Sequence, residues 1–204
     1  MSGPNRGMRR QQAAQTEAEL QAAAIRVFER KGYLNTKITD ITAEAGRATG
    51  SFYKHFASKE KLLEALLSSL LAESDATVTA AGPSHPDDFR ERDAVRWHVA
   101  TFVRSFREHR TVMIALQQAA IVDETFARRQ QEMFEPDLEH LAGHLAQLEL
   151  SVDPVLAASL MTGLMWSFAS TWWNPAVRQD LSEDAMTDAL AAFVHGGLLG
   201  LTVS

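Results

Sequence analysis

The segment from Thr39 to Phe56, TDITAEAGRATGSFYKHF, constrains this chain more than any other stretch. It reads as two short helices, Ile38 to Ala45 and Thr49 to Phe56, joined by a tight turn. Gly46 permits the turn because it tolerates positive φ. Ala43 and Ala45 allow the helices to approach closely. Phe52 and Phe56 stand four apart and bury one side of the second helix. Thr49, Ser51, Lys54 and His55 are left to face outward. In a helix-turn-helix of this layout, the second helix enters the DNA major groove while the first steadies it. Hydroxyls and lysine can bond base edges or phosphates. Eight helical residues span only about 12 Å, or about four base pairs at ~3.4 Å each. One copy would bind weakly, so a dimer on two half-sites of a palindrome is expected.

Charge agrees with this placement. The chain has 204 residues and a net charge of −6, but the charge is segregated. Up to Lys61 there are 11 Lys/Arg against 6 Asp/Glu; from Leu62 onward there are 9 against 20. Only the first part suits a polyanion. The absence of cysteine excludes disulfides, thiol nucleophiles and cysteine metal sites, and fits a reducing compartment. Residues 1–15 carry Arg6, Arg9 and Arg10 with no apolar run behind them, so they read as a flexible basic arm and not a secretory signal.

The whole chain reads as all-α, with about nine helices and no sustained period-two alternation. Thr16-x-x-Glu19 resembles a capping box opening the first helix. Leu20, Ala24, Val27 and Phe28 form its apolar stripe, and Gly32 ends it. Ser58 can cap a linking helix of about 58–79, with Leu62, Leu63, Leu66, Leu67 and Leu70 on one face. The Ala80–Pro86 stretch is the clearest break. Helices then follow over about 95–106, 111–122 and 124–148, the last capped by Asp123 and expected to kink at Pro136. Asp153-Pro154 opens a helix without a charged residue to Trp173, stopped by Asn174-Pro175. Ser182 opens the final helix.

Residues 20–67 resemble the tetracycline-repressor (TetR) family of bacterial transcription regulators. The pieces that match are Ala23-Ala24, Val27-Phe28, Gly32-Tyr33, Asp40-Ile41, Ala45-Gly46, the run from Gly50 to Phe56, Ser58-Lys59-Glu60 and Leu62-Leu63. The resemblance implies backbone contacts by Tyr53, His55 and Lys59. It departs at the turn, where Arg47-Ala48 follows Gly46: Arg47 adds a cation, and Ala48 cannot cap, which leaves that task to Thr49. The family's threonine pair before the second helix is Thr36-Lys37 here. The expected DNA contacts are therefore Thr36, Lys37, Arg47, Thr49, Gly50, Ser51, Tyr53, Lys54, His55 and Lys59.

The resemblance also implies three regions: an arm over 1–15, a DNA-binding domain over 16–61, and a ligand-binding and dimerisation domain over 62–204. Trp97, Phe102, Phe106, Met113, Leu116, Phe126, Phe134, Met161, Met165 and Trp166 suit an apolar effector; His98, Gln117 and Ser167 could meet a polar group on it. Each could equally pack in a solid core. The uncharged helix from Val155 is long enough to span a bilayer, but its hydroxyl and glycine content favours a helix buried on all sides. Leu164, Phe168, Trp172, Leu190, Phe193, Val194, Gly197 and Leu198 are the expected dimer face. His140 and His144, four apart, could share a metal; with no third ligand near in sequence, a helix surface is the expectation. No cofactor and no catalytic pairing is indicated.

The reading is a cytoplasmic, non-enzymatic, homodimeric regulator, most simply a repressor. It would bind double-stranded DNA at a palindromic operator under control of an apolar small molecule, without a membrane partner. Two alternatives stand beside it: a DNA-binding dimer with no inducer, and a helical small-molecule protein or enzyme with a vestigial DNA domain.

Overall fold

The computed structural model describes residues 4–81, 86–173 and 180–203. The core of the expected break, 82–85, and the Asn174-Pro175 stop lie outside the described residues. Among those described there are nine α-helices: α1 (Pro4–Lys31), α2 (Ile38–Glu44), α3 (Thr49–Phe52), α4 (Lys59–Ala81), α5 (Arg92–Glu108), α6 (Arg110–Val122), α7 (Glu124–Leu145), α8 (Pro154–Trp172) and α9 (Glu183–Leu199). A 3₁₀ turn over Ala146–Leu148 follows α7.

Several caps match the sequence. Ser58 Oγ accepts from the Lys61 N–H at 3.3 Å. Asp123 accepts from Thr125 and Phe126 at 2.8 and 3.0 Å. Asp153 caps α8 with Pro154 behind it, and Ser182 accepts from Ala185 at 3.2 Å. Each satisfies a donor that a helix start leaves orphaned. Pro136 sits inside α7, which continues on both sides of it.

The first helix differs from expectation. It begins at Pro4, well before Thr16, so residues 4–15 are helical where a flexible arm was expected. Proline suits a first helical position and Ala13-Ala14 propagate the helix. Thr16 is therefore mid-helix, and its hydroxyl donates back to the Gln12 carbonyl at 2.9 Å.

The chain divides into two compact units. The first comprises residues 1–72 with 111–130. It therefore takes most of α6 and the start of α7, which the sequence reading grouped with the C-terminal domain. Its buried side chains include Leu20, Val27 and Phe28 of α1, Ile41 of α2, Phe52 and Phe56, Leu62, Leu63 and Leu67 of α4, and Met113 and Leu116 of α6.

The second unit comprises 73–110 with 131–204. Its core joins Phe89, Val95, Val99 and Val103 to Leu141 and Leu145, to Ala157, Ala158, Met161 and Met165, and to Met186, Leu190, Val194 and Leu198. An antiparallel bridge between Leu150 and Thr202 ties the chain after α9 to the segment before α8. By length and composition α8 could cross a membrane. It was expected to be buried all round, yet only the face of Ala157, Ala158, Met161, Met165 and Ala169 is buried. Leu156 and Leu160 on the other side are more than half exposed.

Candidate nucleic-acid interface

The helix pair is held from beneath by α1. Glu44 of α2 receives Arg26 at 2.7 Å and Arg30 at 2.6 Å. Asp40 receives the Lys31 ammonium at 2.8 Å and the Lys37 backbone N–H at 3.0 Å. Hydrogen bonds from these donors, Arg26 first for Glu44 and Lys31 first for Asp40, hold both carboxyls below their ordinary range. Gly46 adopts φ +63, so the turn uses the left-handed region open to glycine. Arg47, just beyond it, is drawn back to Glu19 of α1 through Nε at 3.0 Å.

The recognition helix is shorter than its sequence suggested. Regular α-helix covers only Thr49–Phe52. Hydrogen-bonded turns carry the chain on, with His55 and Phe56 N–H groups both donating to the Phe52 carbonyl at 2.9 Å. Phe52 is fully buried, and its ring centre lies 5.6 Å from that of Phe56. This anchor turns Thr49, Gly50, Tyr53 and Lys54 outward. Tyr53 is 57% exposed. Ser51 is half-buried.

Four expectations change. Thr49 does not cap: Ala48 holds the N-cap position without a side-chain bond, and Thr49 Oγ1 faces Thr42 Oγ1 at 3.5 Å. Thr36 is buried, its hydroxyl donating to the Gly32 carbonyl at 2.8 Å, so it braces the connector and is closed to DNA. Lys59 also turns inward. Its ammonium donates to the Tyr33 carbonyl at 2.8 Å and the Thr36 carbonyl at 3.0 Å, and lies 4.0 Å from the Tyr33 ring centre. Burial lowers its pKa, with Glu60 opposing. His55 is half-buried, its Nδ1 3.8 Å from a Glu17 oxygen. Lys37 is exposed at the start of α2.

One contributor left no local sequence signal. Gln118 of α6 accepts the Tyr33 N–H at 2.9 Å across 85 residues of sequence. Tyr33 Oη in turn donates to Glu60 at 2.9 Å. Burial and this carboxylate push the Tyr33 phenol well above its usual range. Burial would raise Glu60, but bonds from Ser58, its own N–H and Tyr33, with the Lys59 charge, hold it below the usual glutamate value. The connector between α1 and α2 is thus gripped from α4 and α6 together.

Residues 20–66 match the model for bacterial regulatory proteins of the tetR family. This segment is thus of the tetR kind. Over 72 residues it is 36% identical to the HTH-type transcriptional regulator TtgR of Pseudomonas putida, a match covering 35% of this chain and 34% of TtgR. Over 93 residues it is 32% identical to EthR of Mycolicibacterium smegmatis, covering 46% of this chain and 42% of EthR. The chain thus spans about a third of the length of TtgR and about two fifths of EthR. The fold likeness runs further. The transcriptional regulator FadR from Bacillus subtilis, solved in complex with stearoyl-CoA, superimposes with a TM-score of 0.71 at 17% identity, covering 91% of this chain and 99% of that one.

The remaining expected site residues fall in both units. Met113, Leu116 and Phe126 are buried in the first unit, while Gln117 is exposed there, because the adjacent Gln118 takes the inward position. In the second unit, Trp166 meets Phe106 at 5.8 Å and Phe134 at 6.2 Å between ring centres. Phe106 also stacks on Trp173 at 5.6 Å and lies 6.0 Å from the half-buried Phe102. Met161 and Met165 lie in the core, and Ser167 is exposed on the far face of α8. Trp97 lines a surface groove of about 290 Å³ with Arg96, Thr101 and Arg104. His98 is half-buried beside Phe89.

The expected dimer face also divides. Leu190, Val194 and Leu198 belong to the unit's own core and are not available to a partner. Phe193 and Gly197 are exposed on α9, and Leu164 on α8. Phe168 and Trp172 are half-buried and stack at 5.9 Å.

Proposed function

We propose that this chain is a DNA-binding transcription regulator that acts as a cytoplasmic homodimer, most simply a repressor. The observation that carries it is the outward row of Lys37, Thr49, Gly50, Tyr53 and Lys54 on a helix pair pinned from behind by α1 and by Phe52. Cationic and hydroxyl groups on a rigid short helix suit phosphate positioning and base-edge readout. Arg47 joins them by releasing Glu19, since a solvent-exposed ion pair is held only weakly. Lys59 and Thr36 position the connector. Electrophoretic shift with DNA from upstream of the gene tests the reading; the absence of a specific, salt-sensitive complex would overturn it.

The dimer would form through the exposed apolar faces of α8 and α9. Leu156, Leu160 and Leu164 repeat at helical spacing on α8, and Phe193 on α9 is 70% exposed among Ala189, Gly196 and Gly197. Large apolar residues at this spacing on a charge-free helix mark an interaction surface. A two-fold interface would bring two short recognition helices to one palindrome.

An apolar effector would couple to DNA only by binding one arrangement of the dimer better than the other. FadR's stearoyl-CoA makes a long acyl chain the first class of probe. The reading without an effector is favoured by one observation: Phe106, Phe134, Trp166 and Trp173 pack ring against ring, as in a filled core. Calorimetry with stearoyl-CoA, repeated with the protein on DNA, separates the two.

A further inference from the structure

The second unit contains a histidine arrangement that DNA binding does not use. His140 and His144 lie one turn apart on α7, and their Nε2 atoms face each other at 3.2 Å. The rings are nearly perpendicular, at 85°, with centres 4.7 Å apart. His140 is exposed, whereas His144 is buried and stacked on the buried ring of Phe89 at 5.7 Å. Stacking on Phe89 therefore orients one imidazole, while the exposed His140 ring stands against it from the solvent side. His98 of α5 stands beside them, its ring centre 5.4 Å from that of His144. Its Nδ1 lies 3.0 Å from the Ala94 carbonyl. A carbonyl can only accept, so Nδ1 carries the proton and Nε2 the lone pair in the neutral ring.

We propose that His140 and His144 chelate one divalent transition metal of the imidazole-preferring class: zinc, nickel or copper. With metal–nitrogen bonds of about 2.0–2.1 Å, tetrahedral geometry sets two ligand nitrogens about 3.3 Å apart. A square-planar or octahedral cis pair would sit at about 2.9 Å. The observed 3.2 Å falls between these. In the metal-free pair one ring must donate its Nε2 proton to the other. For both Nε2 lone pairs to meet the ion, that proton must leave Nε2. Among the described residues no third protein ligand converges on this point. The site is open to solvent on the His140 side.

The proposal is independent of the DNA-binding reading, and its test uses no DNA. Full-length, tag-free protein is titrated with Zn²⁺ against a chromophoric chelator, and with Cu²⁺ under electron paramagnetic resonance. One equivalent should bind, and the copper spectrum should show coupling to two imidazole nitrogens. His140→Ala should weaken binding at least tenfold, and His144→Gln likewise with the helical circular dichroism unchanged. His195→Ala, on α9 and outside the pair, should bind as the parent does. No binding below millimolar metal, a single-nitrogen spectrum, or an affinity unchanged in His140→Ala would overturn the proposal. His140 is exposed, so that variant decides the matter even where His144→Gln fails to fold.

Discussion

The Lys59 ammonium donates to the Tyr33 carbonyl at 2.8 Å while lying 4.0 Å from the centre of the same residue's ring. A lysine that sequence alone assigns to the DNA backbone is therefore a clamp on the α1–α2 connector. Lys59→Met keeps the stem but removes the donor. It should lower stability by about 1.5–3 kcal/mol, the range for hydrogen bonds to a charged group, and weaken DNA binding at the same time. Lys54→Ala should weaken DNA binding tenfold or more with an unchanged melting temperature. Thermal melts beside anisotropy titrations separate the two roles.

Gln118 holds the other side of the same residue. Gln118→Ala leaves the Tyr33 N–H without its acceptor beside a buried ring, a loss of about 1–3 kcal/mol. Gly32 is also constrained, since its φ is +74 and a side chain there would be strained. Gly32→Ala should therefore destabilise the protein even though Gln118 leaves room, at 3.5 Å, for a Cβ. Urea unfolding of both variants checks this.

Much of this was legible in the chain because it is local. Helix starts at Ser58, Asp123, Asp153 and Ser182 follow from the hydrogen-bonding reach of one side chain over three residues. The buried role of Phe52 and the turn at Gly46 follow in the same way. What local pattern could not supply is which face of an apolar helix is already taken. Leu190, Val194 and Leu198 read as a dimer stripe but are consumed by the unit's own core, leaving Phe193 outside. Gln117 and Gln118 are identical in type, and only the tertiary position of Tyr33 makes the second one structural. Thr36 and Lys59 point inward for the same reason.

Phe193 and Leu190 therefore give opposite outcomes on one helix. Phe193→Asp should preserve the helical signal and yield monomer by light scattering, with loss of tight DNA binding. Leu190→Asp places a charge in the core and should cost several kcal/mol, lowering the melting temperature or preventing folding. If Phe193→Asp stays dimeric, the α8–α9 face is not the interface.

Acid should loosen the first unit. The Glu60 carboxyl lies below its ordinary value of 4.5 in the folded chain, where bonds from Ser58 and Tyr33 and the Lys59 charge outweigh burial. The unfolded chain therefore binds more protons than the folded one in the window below 4.5. The stabilisation is complete above pH 4.5 and is lost as pH falls through the folded value. Glu60→Gln should reduce stability at neutral pH and flatten the acid limb of a denaturation–pH series.

The most direct test is selection of DNA sites from a random pool by the purified full-length protein, followed by anisotropy across a salt series. A two-fold DNA-binding dimer predicts one palindromic motif with half-sites about one helical turn apart or a multiple of that. It also predicts an affinity that falls steeply with salt and is weakened by Tyr53→Phe and Lys54→Ala. No enriched motif, or binding that ignores salt and both substitutions, would contradict it.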